Sequence, residues 1–92
     1  MSLYELYPEW NRDPISTLIE MSNLGDIESI DMLLSQYDNI NSEVWNMIAH
    51  IGAKNGDISL IRYIVRRYAI NIEEIVSIAL RFGHTNIYRE FL

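Results

Sequence analysis

The sequence predicts an all-α fold, a short solenoid of about three stacked helix-turn-helix units. Three glycines, Gly25, Gly56 and Gly83, each follow an apolar helical stretch and precede another one. The ten-residue segments that begin at these glycines align without gaps, and apolar residues recur five, eight and nine places after each glycine. This spacing places the apolar residues on one face of a helix. Such internal repetition is typical of proteins built from stacked supersecondary units.

The helix before each glycine begins at a recognisable capping sequence. Asp13 before a proline gives the first start, Ser42 before a glutamate gives the second, and Asn71 with a carboxylate at the capping-box position gives the third. These starts lie 29 residues apart twice over. The chain is therefore expected to form one domain with an N-terminal cap and three units, at residues 1–12, 13–41, 42–70 and 71–92.

Within these units the pattern predicts six helices. Each glycine is expected to end one helix in the left-handed conformation, and the polar residue after it caps the next helix. The expected bounds are 14–23, 27–37, 43–54, 58–68, 72–82 and 85–92. Residues 3–10 are expected to add a short turn or helix that stops near Pro8, where they either cover the first helix pair or dock onto a basic partner.

Composition indicates an ordinary folded domain. Of the 92 residues, 49% are hydrophobic and 22% are charged, a balance typical of globular proteins. There is no cysteine, which excludes a disulfide framework and a zinc-thiolate site. The N-terminus lacks the basic start and apolar run of a signal peptide, and no stretch approaches the roughly 18 apolar residues of a membrane span. We expect a soluble, cytoplasmic protein that makes no membrane contact, in its own cell or in a host cell.

The negative charge is concentrated at one end of the chain. Residues 1–31 carry seven acidic residues against one basic residue, whereas residues 32–92 carry six of each. A nucleic-acid-binding protein needs a basic face, and only Arg62, Arg66 and Arg67 approach one. We therefore expect no direct binding of DNA or RNA.

The segments that follow the glycines resemble the second helix of an ankyrin repeat, and the closest copy runs from Gly83 to Leu92. The usual Thr-Pro-Leu-His opening is missing, and a 29-residue spacing is shorter than the usual length of about 33 residues. Ser29 also stands where an apolar residue is expected. The chain is thus similar to the degenerate ankyrin-like repeats of large DNA viruses and intracellular bacteria, with a generic helical-hairpin repeat as the alternative.

This resemblance implies a protein-protein interaction module, because ankyrin repeats bind proteins on the concave face lined by their first helices. The candidate partner-binding residues are Glu20, Trp45, Asn46, His50, Glu74 and Arg81. Other positions expected to face outward are Thr17, Asn23, Lys54, Glu73 and Ser77. An exposed tryptophan is a common binding anchor, and the alternative is that Trp45 belongs to the core with Val44, Ile48 and Ile51.

Chemistry finds no support in the pattern. The histidines, His50 and His84, have no second histidine or carboxylate at metal-ligand spacing. There is no nucleophile with a nearby base and no phosphate-binding glycine loop. We therefore expect no enzymatic activity, no metal and no cofactor, and a protein partner of unknown identity.

Two other interpretations stay open. The clustered acids of residues 1–31 also suit a nucleic-acid mimic that inhibits a nuclease or a DNA-binding protein. In addition, the sequence stops at Phe91-Leu92, about two turns into its last helix. An open C-terminal end of this kind would accept a second copy of the chain, or it would belong to a longer array.

Overall fold

The structure, a computed structural model, describes residues 2–91 and contains only helices and their connections within that range. The chain measures 37 × 23 × 18 Å along its principal axes. Its helices are α1 (Leu3–Leu6), α2 (Pro14–Leu24), α3 (Ile27–Leu34), α4 (Ser42–Asn55), α5 (Ile58–Arg67), α6 (Ile72–Arg81) and α7 (Thr85–Phe91). The all-α prediction is confirmed, and the stacked-repeat interpretation stays a prediction.

Three glycines end the helices that precede them, as predicted. Gly25, Gly56 and Gly83 have φ angles of 69°, 72° and 80°, in the left-handed region that favours glycine. In each case the amide after the glycine donates a hydrogen bond of 2.9 Å to the carbonyl five residues earlier in the chain. This bond is the mark of a Schellman motif. The same turn therefore joins α2 to α3, α4 to α5, and α6 to α7.

The second helix of each of the first two pairs begins at the aspartate after the glycine. The Asp26 side chain accepts a hydrogen bond from the Ser29 amide, and the Asp57 side chain accepts one from the Leu60 amide, both at 3.2 Å. These bonds satisfy an amide that has no partner inside its helix. The predicted caps at these two positions are confirmed.

One predicted helix start is wrong. Asn41, not Ser42, caps α4, because its backbone is extended (φ −62°, ψ 137°) and its side chain accepts the Glu43 amide at 2.9 Å. The caps at Asp13, Asn41 and Asn71 are therefore 28 and 30 residues apart rather than 29 twice. Asparagine and serine are both good capping residues, so residue type alone does not choose between neighbours.

Helix α3 ends at Leu34, three residues before the predicted residue 37. The Ser35 hydroxyl and the Gln36 side-chain amide both donate to the Met32 carbonyl, at 2.8 and 3.3 Å. Side chains that bond to nearby carbonyls offer the backbone an alternative to helix continuation. At the other end of the chain, Leu92 of the predicted last helix lies outside the described residues.

The apolar faces of the helices meet in one core. Helix α4 lies at its centre and contacts α2, α5 and α6, while α3 packs on α2 and α7 packs on α6. In α4, a Cβ on Gly52 would come within 3.1 Å of Ile61 Cγ1, so the missing side chain lets α4 and α5 approach closely. The buried apolar residues are Leu3, Tyr7, Leu18, Met21, Ile30, Leu33, Leu34, Ile48, Ala49, Ala53, Leu60, Ile61, Ile64, Ile75, Val76, Ala79 and Ile87.

Side chains from one helix pair cover the glycine turn of the preceding pair. A Cβ on Gly25 would lie 2.9 Å from Asp57 Oδ2, and a Cβ on Gly56 would lie 2.6 Å from His84 Nδ1. His84 Nε2 is also 2.9 Å from the Lys54 carbonyl oxygen. The glycines therefore serve both their own turn and the junction with the next helix pair.

On the opposite side of these turns, polar contacts join α3, α5 and α7. The Tyr63 hydroxyl donates to Asp31 Oδ1 at 2.8 Å, and Arg67 pairs with the same carboxylate at 3.2 Å. Burial, the Asp31 hydrogen bond and the Asp31 charge together raise the pKa of Tyr63. Arg62 pairs with Glu90 at 2.6 Å. Each contact crosses from one helix pair to the next and holds the pairs in register.

The N-terminal segment packs on the first helix pair through α1, which contacts α3. The Tyr7 hydroxyl donates to Asp26 Oδ2 at 2.7 Å, and burial together with this bond raises the pKa of Tyr7 to about 12. Burial alone would raise the pKa of Asp26, but hydrogen bonds from Ser29 and Tyr7 outweigh it and lower that pKa. Ser29 therefore occupies an apolar position of the repeat because its hydroxyl bonds Asp26, at 2.7 Å.

Membrane crossing requires a helix of about 20 mainly apolar residues. The longest helix in residues 2–91 is α4, with 14 residues. None of the helices in this range has the length and apolar character to cross a bilayer.

The two glycine turns with different surroundings allow a matched stability test. We expect Gly83→Ala, which meets nothing within 4 Å, to lower the free energy of unfolding by about 1–2 kcal/mol through backbone strain alone. Gly56→Ala carries the same strain and also displaces the His84 ring, so its loss should be at least about 1 kcal/mol larger. Urea unfolding measures both. Equal losses would show that His84 does not occupy this space.

Candidate protein-binding surface

Helices α2, α4 and α6 lie side by side and share an outward surface. Counting back six and two places from the three glycines gives two rows of exposed or half-buried side chains, which are Ile19, His50 and Ser77, and Asn23, Lys54 and Arg81. We call the outward side of α2, α4 and α6 that contains these rows the first-helix surface. Between its members, Asn55 Nδ2 donates to Asn23 Oδ1 at 3.1 Å and so links α4 to α2.

The part of this surface on α4 and α6 is polar. His50 Nε2 lies 3.3 Å from Glu74 Oε1, with side chains 43% and 55% exposed. Lys54 Nζ lies 5.7 Å from the centre of the Phe82 ring. Exposed pairs of this kind contribute only about 0–1 kcal/mol, so these groups can exchange their contacts for those of a partner at little loss.

The part on α2 is apolar. Ile15 and Ile19 lie one turn apart and are 45% and 38% exposed. Ile15 also lines an open groove together with Val44 and Met47 of α4. These side chains form a continuous apolar strip, which we define as Ile15, Ile19, Val44 and Met47.

The sequence pattern does not reveal this strip, because an isoleucine in a helix is expected to face the core. A signal was nevertheless present in α2, whose apolar residues lie at positions 15, 18, 19, 21 and 24. At about 100° per residue these positions spread around the whole helix, more than one buried face can hold. Some of them therefore had to be exposed.

One residue expected to face outward is buried. Thr17 is only 5% exposed, and its hydroxyl donates to the Asp13 carbonyl at 2.8 Å. It lies eight places before its glycine, the position that Ile48 and Ile75 occupy in the other units, and both of these are fully buried. The alignment of the units therefore places Thr17 in the core, where the bond to the backbone satisfies its hydroxyl.

Trp45 is half-buried, which lies between the two alternatives considered for it. Its ring stacks on Tyr68 with centroids 4.4 Å apart and an angle of 12°, and its Nε1 atom is buried without a hydrogen-bond partner. Trp45 and His50 are five residues apart, about 140° around the helix. Trp45 consequently packs towards Tyr68 rather than joining His50 on the first-helix surface.

The other candidates are distributed along the first helices. Asn46 lies one turn before His50 and is half-buried, whereas Glu20 and Arg81 are exposed. The structure thus brings His50 and Glu74 together and leaves Glu20 on a different helix, without an ion pair among residues 2–91. The same range contains no group of three metal-binding side chains.

Comparisons with protein-family models, with curated proteins and with solved structures find no match to this chain. The resemblance to ankyrin repeats therefore stays a prediction.

The stacking of Trp45 on Tyr68 can be tested by fluorescence in a Trp10→Phe background, where Trp45 is the sole tryptophan. Tyr68→Ala removes the covering ring, so we expect the Trp45 emission to shift to longer wavelength and the free energy of unfolding to fall by at least about 1 kcal/mol. Tyr88→Ala, at an exposed tyrosine of α7, is the matched control and should change neither. An unshifted emission in Tyr68→Ala would contradict the stacked arrangement.

Proposed function

We propose that this protein is a protein-protein interaction module that binds its partner through the first-helix surface, without catalytic chemistry or a cofactor. The observation that carries the proposal is the apolar strip of Ile15, Ile19, Val44 and Met47. Removing apolar surface from water is favourable by about 25 cal/mol per Å². Contiguous apolar residues on a surface mark sites of interaction.

The polar neighbours of the strip complete the arrangement expected of a binding surface. His50, Glu74 and Arg81 carry donors and charges of both signs beside it. Interfaces typically combine an apolar centre with a polar rim that supplies hydrogen bonds and fixes orientation. The first-helix surface therefore has both parts that a protein partner requires.

The repeat interpretation also favours this use of the surface. The hydrogen bond after the glycine is 2.9 Å long in each of the three turns, which supports three equivalent helix pairs. In stacked repeats of the ankyrin type, the first helices line the concave side that binds proteins. The lack of cysteine agrees with the reducing, intracellular setting that we propose for this protein.

The alternative of a nucleic-acid mimic is less favoured by the positions of its carboxylates. Asp26 accepts hydrogen bonds from Tyr7 and Ser29, and Asp31 accepts one from Tyr63 while it pairs with an arginine. Both carboxylates therefore have partners inside the fold. A mimic needs its acids presented to a basic protein surface, so we do not advance this function.

Affinity capture from cell extract tests the proposal. Ile15→Ser with Ile19→Ser removes the exposed half of the strip, and we expect it to reduce recovery of a specific partner by roughly tenfold or more. The matched control, Leu80→Ser with Tyr88→Ser, changes two similarly exposed apolar residues on α6 and α7 and should leave recovery unchanged. Circular dichroism verifies that both variants are folded.

Two results would count against the proposal. The wild-type chain recovering no more than an unrelated acidic helical protein would remove the evidence for a partner. Loss of recovery only in the Leu80 and Tyr88 variant would place the interface at α6 and α7, where a second copy of the chain could also bind.

A further inference from the structure

A deep apolar groove adjoins the strip, between the start of α2, the end of α3 and the start of α4. Its volume is about 150 Å³, and its walls include Leu18, Leu34, Ile40 and Val44. Protein cavities of ~150 Å³ with aliphatic walls hold a benzene-sized group. The groove therefore has room for one large aliphatic or aromatic side chain from outside.

The groove opens onto the first-helix surface. Ile15 and Val44 belong both to its wall and to the shallower groove that reaches Met47. Tyr37, which is 42% exposed, also lines the deep groove. A segment lying along the apolar strip could therefore insert one side chain into the groove.

Three exposed carboxylates surround this position. Asp13 immediately precedes Pro14 of the wall, Asp38 lies between two lining residues, and Glu43 lines the shallower groove. None of the three takes part in an ion pair among residues 2–91. The lining of both grooves, in this range, includes no lysine or arginine.

The arginines closest in sequence or in a neighbouring cavity do not cancel this charge. Arg12 pairs with Glu9 at 3.7 Å, and Arg67 pairs with Asp31 at 3.2 Å. The entrance of the groove therefore keeps a negative field, which attracts cationic groups and speeds their encounter.

This charge selects among the occupants that an apolar groove could accept. Phosphate groups and anionic lipid headgroups are repelled by the carboxylates. A second copy of this chain carries the same net charge of −6, so association of like copies is opposed over a Debye length of about 8–10 Å. A cationic polypeptide is the occupant that complements both the apolar wall and its rim.

We infer that the groove binds a basic, amphipathic segment of the partner protein. One large apolar side chain enters the groove, and lysine or arginine side chains of the same segment lie beside Asp13, Asp38 and Glu43. This inference rests on the proposed function and names the chemical class of the partner at that site.

Fluorescence anisotropy with two labelled peptides tests it on the full chain. The peptides share one amphipathic pattern of leucines, and their polar positions are all lysine in one and all glutamate in the other. We expect only the lysine peptide to bind, with an affinity that falls as salt rises. Tyr37→Ser, which changes an exposed wall residue, should weaken that binding by roughly fivefold or more.

A pair of charge-matched variants separates the groove from the general acidity of the chain. Asp13→Asn, Asp38→Asn and Glu43→Gln together should weaken binding of the lysine peptide by roughly tenfold and flatten its salt dependence. Asparagine at position 13 still caps α2. The control combines Glu5→Gln, Glu28→Gln and Glu73→Gln, three exposed acids outside both grooves, and should bind within about twofold of the wild type.

Several outcomes overturn the inference. These are equal binding of the glutamate peptide, equal losses in the two charge variants, an unchanged affinity in Tyr37→Ser, and a dimer in sedimentation velocity that Tyr37→Ser dissociates. If the peptides fail while partner capture still depends on Ile15 and Ile19, the inference is wrong and the proposed function stands. Failure of partner capture from extract contradicts the proposed function itself.

Discussion

The left-handed glycine turn is the constraint on which the rest of this structure depends. In each of the three turns the following amide returns to a carbonyl five residues earlier, at 2.9 Å, so the second helix leaves in a fixed direction. The apolar faces of both helices then meet in one core. A residue with a Cβ would be strained at these φ angles, and at Gly56 it would also collide with His84.

The turns also determine where a partner could bind. Because Asp57 and His84 pack over the glycines of the preceding pairs, α2, α4 and α6 are held side by side. This arrangement places the exposed residues of three helices on one surface. The apolar strip and the acidic entrance of the deep groove are therefore consequences of the same turns that build the core, and local sequence alone assigns neither of them.

The sequence predicted those features that depend on short-range hydrogen bonding. The glycine turns and most helix bounds fall within one residue of their expected positions, because a cap and a left-handed residue act over a single turn. Burial depends on distant neighbours, and here the sequence failed. Thr17 is buried, Ile15 is exposed, and Trp45 is half-covered by Tyr68, which lies 23 residues further along the chain.

Amide hydrogen exchange, followed residue by residue by NMR, tests the central claim most directly. The amides of Asp26, Asp57 and His84 lie just outside helices, where an unbonded amide exchanges rapidly with water. We predict that all three exchange slowly, at rates similar to those of amides inside α4 and α5, because each donates to a backbone carbonyl. Rapid exchange at any of the three would contradict the account that equivalent glycine turns hold this fold together.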